Sequence, residues 1–393
     1  PRIVQGPGRL RLKNTGKVRF LHTSDWQLGM TRAFLSEEAA PRFSQARIDA
    51  ITRLGELAAE HGASFIAVAG DIFESNQLSR QTVLRSLNAL EALAVPVFLL
   101  PGNHDPLDAT SIFSSREFAG AADNVIVIRD STPLPVPGLP HVEVVGAPWR
   151  SKHPTADLCG ALLQELEPSA ARLRIALCHG QVDTLSPDSA RPEIIDLAAA
   201  EAAVGDGRIH YLALGDRHSV TEVGRTGRIW YSGAPVATDF DETAPNHALL
   251  VELDGADHCE VTPVPVGQWQ FLAEHRDLNS AEDLEEIAGW LAGLPNKERT
   301  VVKMSFTGTI NLATAARLDA LFATQAELFA SLRRRERTTD LAIVADEPDQ
   351  ESVCLTGYAR AAWDELLAEA PSDPVARDAL RLLYRLSRSG EGA

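Results

Sequence analysis

Short apolar runs alternate with amphipathic stretches from Val18 to about residue 265. The runs at 18–23, 64–69, 95–100, 142–147, 173–178 and 209–214 read as strands. The stretches near 40–61, 79–94 and 156–167 repeat their apolar positions every three or four residues and read as helices. This alternation predicts an α/β layered domain. After residue 218 the runs shorten to 220–224, 228–232, 247–253 and 258–264, with Gly turns between them, which predicts a β-meander joining a sheet.

Residues 266–353 read as a second, smaller domain. Ser280 can cap a helix with Leu284, Ile287, Leu291 and Leu294 on one face. A strand at 301–306 follows, then a helix near 312–331 and a basic turn, R-R-R-E-R, at 333–337. Residues 354–393 predict two helices joined by P-S-D-P, the second capped by Asp373. The first carries Tyr358, Ala362 and Leu366 beside Ala359, Trp363 and Leu367; the second carries Val375, Ala379, Leu382, Leu383 and Leu386. Two helices this short cannot bury both stripes alone, so they pack on the body of the protein or on a partner. Residues 1–17 hold five basic residues and no acid, and read as a flexible arm or as sequence added upstream.

Composition narrows the class. The chain has 393 residues, enough for two or three domains, and 45% are apolar. No apolar run suggests a membrane span or a signal peptide. The four cysteines lie far apart and form no C-x-x-C pair, which points to a reducing cytoplasm. A net charge of −17 argues against binding nucleic acid through overall charge, although bound cations can make a local cleft positive.

The chemistry lies at the strand ends. Strand 18–23 leads to Asp25 and Gln27 in H-T-S-D-W-Q-L-G, and strand 64–69 to Asp71 and Glu74 in G-D-I-F-E. Strand 95–100 leads to Asn103, His104 and Asp105 in P-G-N-H-D, strand 173–178 to His179, and strand 209–214 to Asp216 and His218 in G-D-R-H. Any one cluster could be an ordinary turn. Five in succession, each after the C-terminal end of a strand, supply the carboxylate, amide and imidazole mixture that suits two divalent cations sharing a carboxylate. His22 reads as a strand-end residue bonding backbone, and Glu74 as a supporting or surface residue.

The order D-x-(H), G-D, G-N-H-D, H, G-x-x-H resembles that of calcineurin-like metallophosphoesterases. H-T-S-D-W-x-L-G, A-G-D-I-F-E, P-G-N-H-D-P and Y-S-G-A look more narrowly like SbcD-type nuclease subunits of DNA repair complexes. The resemblance implies a sandwich of two mixed sheets flanked by helices over residues 18–265. It further implies an α+β capping domain that contacts DNA over 266–353 and a C-terminal helical pair that docks on an SMC-like, SbcC-type coiled-coil ATPase. A homodimer in the cytoplasm, associated with the nucleoid, is implied as well. Carried over by position, Asp71 bridges two ions, Mn²⁺ foremost or Mg²⁺. Asp25, Gln27 and His218 complete the first ion; Asn103, His179 and Asp216 complete the second. His104 is implied as catalytic acid or stabiliser near the phosphate, oriented by Asp105. Arg150, Arg217, Arg333, Arg334 and Arg335 become DNA-contact candidates, and Tyr358, Trp363, Leu366, Leu382, Leu383 and Leu386 become partner-contact candidates.

Two positions depart from the family pattern. Gln27 stands where the family has a histidine, and Asp216 where it has the first histidine of G-H-x-H. Both exchanges replace nitrogen by oxygen, which moves preference towards Mn²⁺ or Mg²⁺ and away from Zn²⁺. Three functions follow as expectations: a metal-dependent DNA nuclease acting in a repair complex, a catalytically degenerate DNA-binding scaffold of the same complex, and a phosphodiesterase for small nucleotides.

Overall fold

A computed structural model describes residues 16–169, 171–188, 191–255, 258–344 and 355–389. Most of the basic arm, with Cys354, falls outside the described residues. The chain divides into two compact units: one comprises residues 1–33 and 40–269, the other residues 34–39 and 270–393.

In the first unit, chain order runs β1 (Val18–Thr23), α1 (Ala39–His61), β2 (Ile66–Val68), α2 (Arg80–Glu91), β3 (Val97–Leu99), α3 (Arg116–Ala119) and β4 (Val125–Val127). It continues through β5 (Leu134–Val136), β6 (Leu139–Gly146), α4 (Leu158–Glu165), β7 (Leu173–His179), α5 (Leu197–Gly205) and β8 (Tyr211–Gly215). It ends with β9 (Thr221–Glu222), β10 (Ile229–Tyr231), β11 (His247–Asp254) and β12 (His258–Pro265). The strands form two six-stranded mixed sheets, ordered β12-β11-β1-β2-β3-β4 and β5-β6-β7-β8-β10-β9.

Three apolar layers hold these sheets. Phe20, Phe65, Phe98, Leu177 and Tyr211, drawn from both sheets, form the layer between them, with Phe20 and Phe65 stacked at 4.8 Å. Ile51, Leu54, Leu87 and Leu90 of α1 and α2 cover the outer face of the first sheet. Leu162, Leu163, Ala200 and Ala203 of α4 and α5 cover the outer face of the second. Strands covered on both faces must be apolar throughout, which is why they read as continuous runs. The parallel strands β1, β2 and β3 of one sheet, and β7 and β8 of the other, carry the five polar clusters at their C-terminal ends.

The meander expected after residue 218 is divided between the sheets. β10 pairs parallel with β8, and β11 pairs antiparallel with β1, so residues 232–246 cross from one sheet to the other. Short runs with Gly turns carry no information about which edge they join.

The second unit contains β13 (Gln270–Asp277), α6 (Ala281–Gly293), β14 (Thr300–Asn311), α7 (Leu312–Ala326), β15 (Ser331–Arg334), β16 (Asp340–Val344), α8 (Gly357–Glu369) and α9 (Pro374–Ser389). Ser280 and Asp283 close a capping box at the start of α6. β13, β15 and β16 all pair parallel with the long β14. The basic run is therefore a strand end rather than a turn: Arg333 and Arg334 lie in β15, opposite Lys303 and Met304.

α8 and α9 pack into this unit. Trp363, Leu380 and Tyr384 are buried with Leu312 of α7, and Leu366 and Leu383 pack against them. Trp363 is thus an internal packing residue, correcting its reading as a partner contact, while Leu366 and Leu383 are half-buried beside it. Tyr358, Leu382 and Leu386 are exposed, together with Val375. The buried stripe of α9 runs through Ala376, Leu380 and Tyr384, rotated from the expected one because α9 is apolar on two sides. No helix among the described residues is long and apolar enough to cross a membrane.

Candidate metal centre

The cluster residues are held in backbone conformations that side chains rarely adopt. Among the described residues, six non-glycine residues have positive φ, and four of them are Asp25 (54°), Gln27 (45°), Asp71 (54°) and Asp216 (93°). Such strain concentrates where function requires it. It is maintained by parallel pairing between two loops: Asp25 N–H donates to Gly70 O (3.0 Å), Gln27 N–H to Asp71 O (2.9 Å) and Leu28 N–H to Ile72 O (2.8 Å). The preceding glycines permit close approach. A Cβ on Gly70 would lie 2.1 Å from His179 Nδ1, and one on Gly215 would lie 2.0 Å from Ala69 O.

Two groups of ligand atoms meet at Asp71. His179 Nε2 lies 3.4 Å from Asp71 Oδ1 and 3.8 Å from Asp216 Oδ1. One terminal atom of the Asn103 amide lies 2.8 Å from His179 Nε2 and 3.0 and 3.1 Å from the Asp71 oxygens. As nitrogen it donates to all three. On the other side, His218 Nε2 lies 3.6 Å from Asp25 Oδ1, and Asp216 N–H donates to both Asp25 oxygens at 3.1 Å. One ligand atom each from Asp25, Asp71 and His179 lie within 4.8 Å of one another.

The three imidazoles share one arrangement. His179 Nδ1 donates to Ala69 O (2.9 Å) and His104 Nδ1 to Glu74 O (3.0 Å), while His218 Nδ1 faces Thr238 Oγ1 (2.6 Å) and Glu242 Oε1 (3.1 Å). Anchoring Nδ1–H to oxygen makes Nε2 the bare nitrogen of the neutral ring, the form in which histidine ligates a metal. Nε2 of each ring is then directed to a carboxylate; that of His104 lies 3.9 Å from Asp71 Oδ2.

The electrostatics favour added positive charge. Burial holds the Asp25 carboxyl above its ordinary range. Burial would also raise Asp71, but the His179 and His104 imidazoles beside it keep it low. Burial opposes charge on His179, yet Asp71, Asp25 and Asp216 hold its imidazole well above the usual value. His218 rises to about 9 against burial, through Glu242 and then Asp25.

The residues fit two divalent cations. The donors are carboxylates, imidazoles and amides, a set that suits divalent cations. Gln27 supplies an independent observation: it is 3% exposed, and its Oε1 is buried without a hydrogen-bond partner. An orphaned buried oxygen costs about 1–3 kcal/mol unless a ligand satisfies it.

Other expected site residues fall elsewhere. Asp105 does not orient His104. Its buried carboxylate accepts from Phe73 N–H (2.9 Å) and Gly102 N–H (2.7 Å), joining the loops after β2 and β3, while Glu74 O takes the His104 proton. Burial, then the charge of Asp71, pushes Asp105 up to about 7. Arg334 is not a free cation: it pairs with Asp319 at 2.7 Å, beside Arg381, and lies over the Phe322 ring. Arg333 is exposed over the Phe34 ring, and Arg335 is exposed. Arg150 donates to Arg129 O (2.7 Å) and Arg217 to Thr221 Oγ1 (2.9 Å), and both guanidinium groups are exposed. Arg217 lines a cleft of about 330 Å³ with Asp216, His218 and Gln181. His22 bonds Leu214 O (3.2 Å) and Tyr211 Oη (3.1 Å), a structural role. Sequence reasoning missed Thr238 and Glu242, which lie in an acidic turn with no motif of its own.

Known proteins resemble the chain over the span that carries these clusters. The SbcD component of the SbcCD nuclease of Escherichia coli (strain K12) is 27% identical over 286 residues, covering 64% of this chain and 69% of that one. Its namesake from Bacillus subtilis (strain 168) is 27% identical over 313 residues, covering 70% and 75%. The DNA double-strand break repair protein Mre11 of Methanosarcina mazei is 25% identical over 244 residues, covering 61% of this chain and 37% of its own. The family model described as calcineurin-like phosphoesterase matches residues 18–240, more than half of the chain and the whole span of the five clusters. The chain belongs to the calcineurin-like phosphoesterase family and is similar to SbcD-type nucleases.

Proposed function

We propose that the chain is a metal-dependent DNA nuclease subunit that hydrolyses phosphodiester bonds at DNA ends or secondary structures together with an SMC-like ATPase. The observation that carries this reading is the convergence of ligand atoms from five strand ends, those of Asp25, Asp71, Asn103, His179 and Asp216, while Gln27 Oε1 is buried without a hydrogen-bond partner. Asp25, Gln27, His218 and Asp71 would hold one divalent cation, and Asp71, Asn103, His179 and Asp216 the other. When bound, the cations supply Lewis acidity towards the phosphate and an activated water nucleophile.

The remaining work falls to the chain. His104 is the one imidazole of the three whose ring is substantially open, with 37% of its side chain exposed. Glu74 O holds its Nδ1–H, so Nε2 is the atom that meets substrate oxygen and carries a proton to or from it. Asp105 keeps the loops bearing Asp71 and His104 in register. Arg217 offers a guanidinium to a neighbouring phosphate. In the second unit, Arg333 and Arg335 offer phosphate contacts, and the exposed Val375, Leu382 and Leu386 of α9 offer an apolar stripe to the ATPase partner. Pairing of two such chains is carried over from the family resemblance.

The test uses purified full-length chain, manganese, and linear duplex or single-stranded DNA, with and without the ATPase. Cleavage by the wild type that His104→Ala loses supports the reading. Absence of any cleavage that depends on His104 refutes catalysis and leaves the scaffold.

A further inference from the structure

His218 is anchored differently from the other two imidazoles. His179 and His104 give their Nδ1 protons to main-chain carbonyls, Ala69 O and Glu74 O. His218 gives its proton to a side-chain assembly. Nδ1 lies 2.6 Å from Thr238 Oγ1 and 3.1 Å from Glu242 Oε1. The Glu242 side chain is 6% exposed and accepts the Thr238 N–H with both oxygens, at 3.1 and 3.0 Å. The Thr238 hydroxyl also donates to Glu242 Oε1. A carboxylate only accepts, so the Thr238 proton points to Glu242 and its oxygen is left to accept from Nδ1–H. The neutral ring is thereby held in the tautomer whose bare nitrogen is Nε2, 3.6 Å from Asp25 Oδ1.

The turn carrying this assembly is fixed to the loop that carries Gln27. Arg32 donates twice to Thr238 O, at 3.1 and 2.8 Å. Arg47, 1% exposed, donates to Trp26 O at 3.0 Å and to Ala237 O at 3.5 Å. Residues adjoining Gln27 and Thr238 are thus joined through one buried guanidinium. Gln27 is a neutral oxygen ligand, so the ion it serves depends more heavily on Asp25 and His218. A carboxylate on the far nitrogen of a ligating imidazole fixes its tautomer and raises its basicity.

We propose that Glu242, acting through Thr238, is the positioning residue for the cation held by Asp25, Gln27 and His218, a role that rests on the two-cation reading above. Its replacement weakens that cation alone. The experiment titrates the full-length chain with Mn²⁺, followed by the electron paramagnetic resonance signal of free Mn²⁺. Wild type should bind two ions. Glu242→Gln places an amide against the Thr238 N–H and should weaken one ion by about 10–100-fold while the other keeps its affinity. Asn103→Ala should weaken the other ion. In a Gln27→Met background, where the Gln27 ion is already lost, Glu242→Gln should cost the remaining ion nothing. If Glu242→Gln fails to fold by circular dichroism, Thr238→Val keeps the shape, removes the hydroxyl, and should weaken the same ion. Two ions of unchanged affinity in Glu242→Gln, or equal weakening of both, overturn the proposal alone. A wild type that binds no Mn²⁺ overturns the two-cation reading and the proposal with it.

Discussion

Replacing Gln27 with Met separates a ligand from a packing residue. The substitution conserves volume, keeps an unbranched side chain at φ 45° and removes the orphaned oxygen. Without metal that oxygen is a liability of about 1–3 kcal/mol, so the metal-free variant should be as stable as wild type or more so. A domain of this size shifts by about 2–4 °C per kcal/mol, giving a rise of up to roughly 10 °C. With Mn²⁺ at 100 times its dissociation constant, each site adds about 2.7 kcal/mol. Two sites add about 5 kcal/mol, or roughly 10–20 °C. Gln27→Met should keep about half of that increment, because a thioether is a poor ligand for a hard cation. Scanning calorimetry of the full-length chain, with chelator and with manganese, reads both quantities. A variant that melts lower than wild type without metal, yet gains the full manganese increment, would refute the ligand role and leave Gln27 as a packing residue.

His104→Ala should lower the rate of manganese-dependent phosphodiester hydrolysis by about 10²–10⁴-fold with unchanged Mn²⁺ affinity, measured by steady-state kinetics beside a metal titration. His210 accepts the Arg174 N–H at Nδ1, and burial, with Arg228 and Arg174 nearby, lowers it from 6.5 to about 4. The unfolded chain therefore takes up a proton that the folded chain refuses between those values. Stability is complete above pH 6.5 and falls by about 3 kcal/mol towards pH 4. His22, lowered to about 3 by burial, adds in the same direction, and His210→Asn should flatten this acid limb in urea titrations at a series of pH values. Arg334→Ala should cost about 1.5–3 kcal/mol by breaking its bond to Asp319, read from thermal melts. Arg333→Ala with Arg335→Ala should leave melting unchanged and reduce the salt dependence of DNA binding by about one unit per residue removed.

Strand ends were the legible part of this chain. A strand buried on both faces must be apolar, and a ligand must be polar, so each run followed by Asp25, Asp71, Asn103, His179 or Asp216 announces itself. Elements with weak contrast were not legible. The three-residue strands β4 and β5 are too short to show a period. The segment of α5, L-A-A-A-E-A-A-V-G, is apolar nearly all round. The buried face of α9 was misread because Val375, Leu382 and Leu386 offered a second stripe as good as that of Leu380 and Tyr384. Roles that depend on contacts between distant loops were invisible. Asp105 looked like the partner of its neighbour His104, but it bonds Phe73 and Gly102. Glu242 reaches His218 only because residues 232–246 cross between the sheets.

The measurement that bears most directly on the two-cation centre is a crystal structure of the chain soaked in Mn²⁺, with anomalous scattering collected at the manganese edge. The account predicts two peaks about 3.5–4 Å apart on either side of Asp71, one touching Gln27 and His218 and the other touching Asn103, His179 and Asp216. A single peak, or none, with Gln27 and Asp216 turned away, would contradict it.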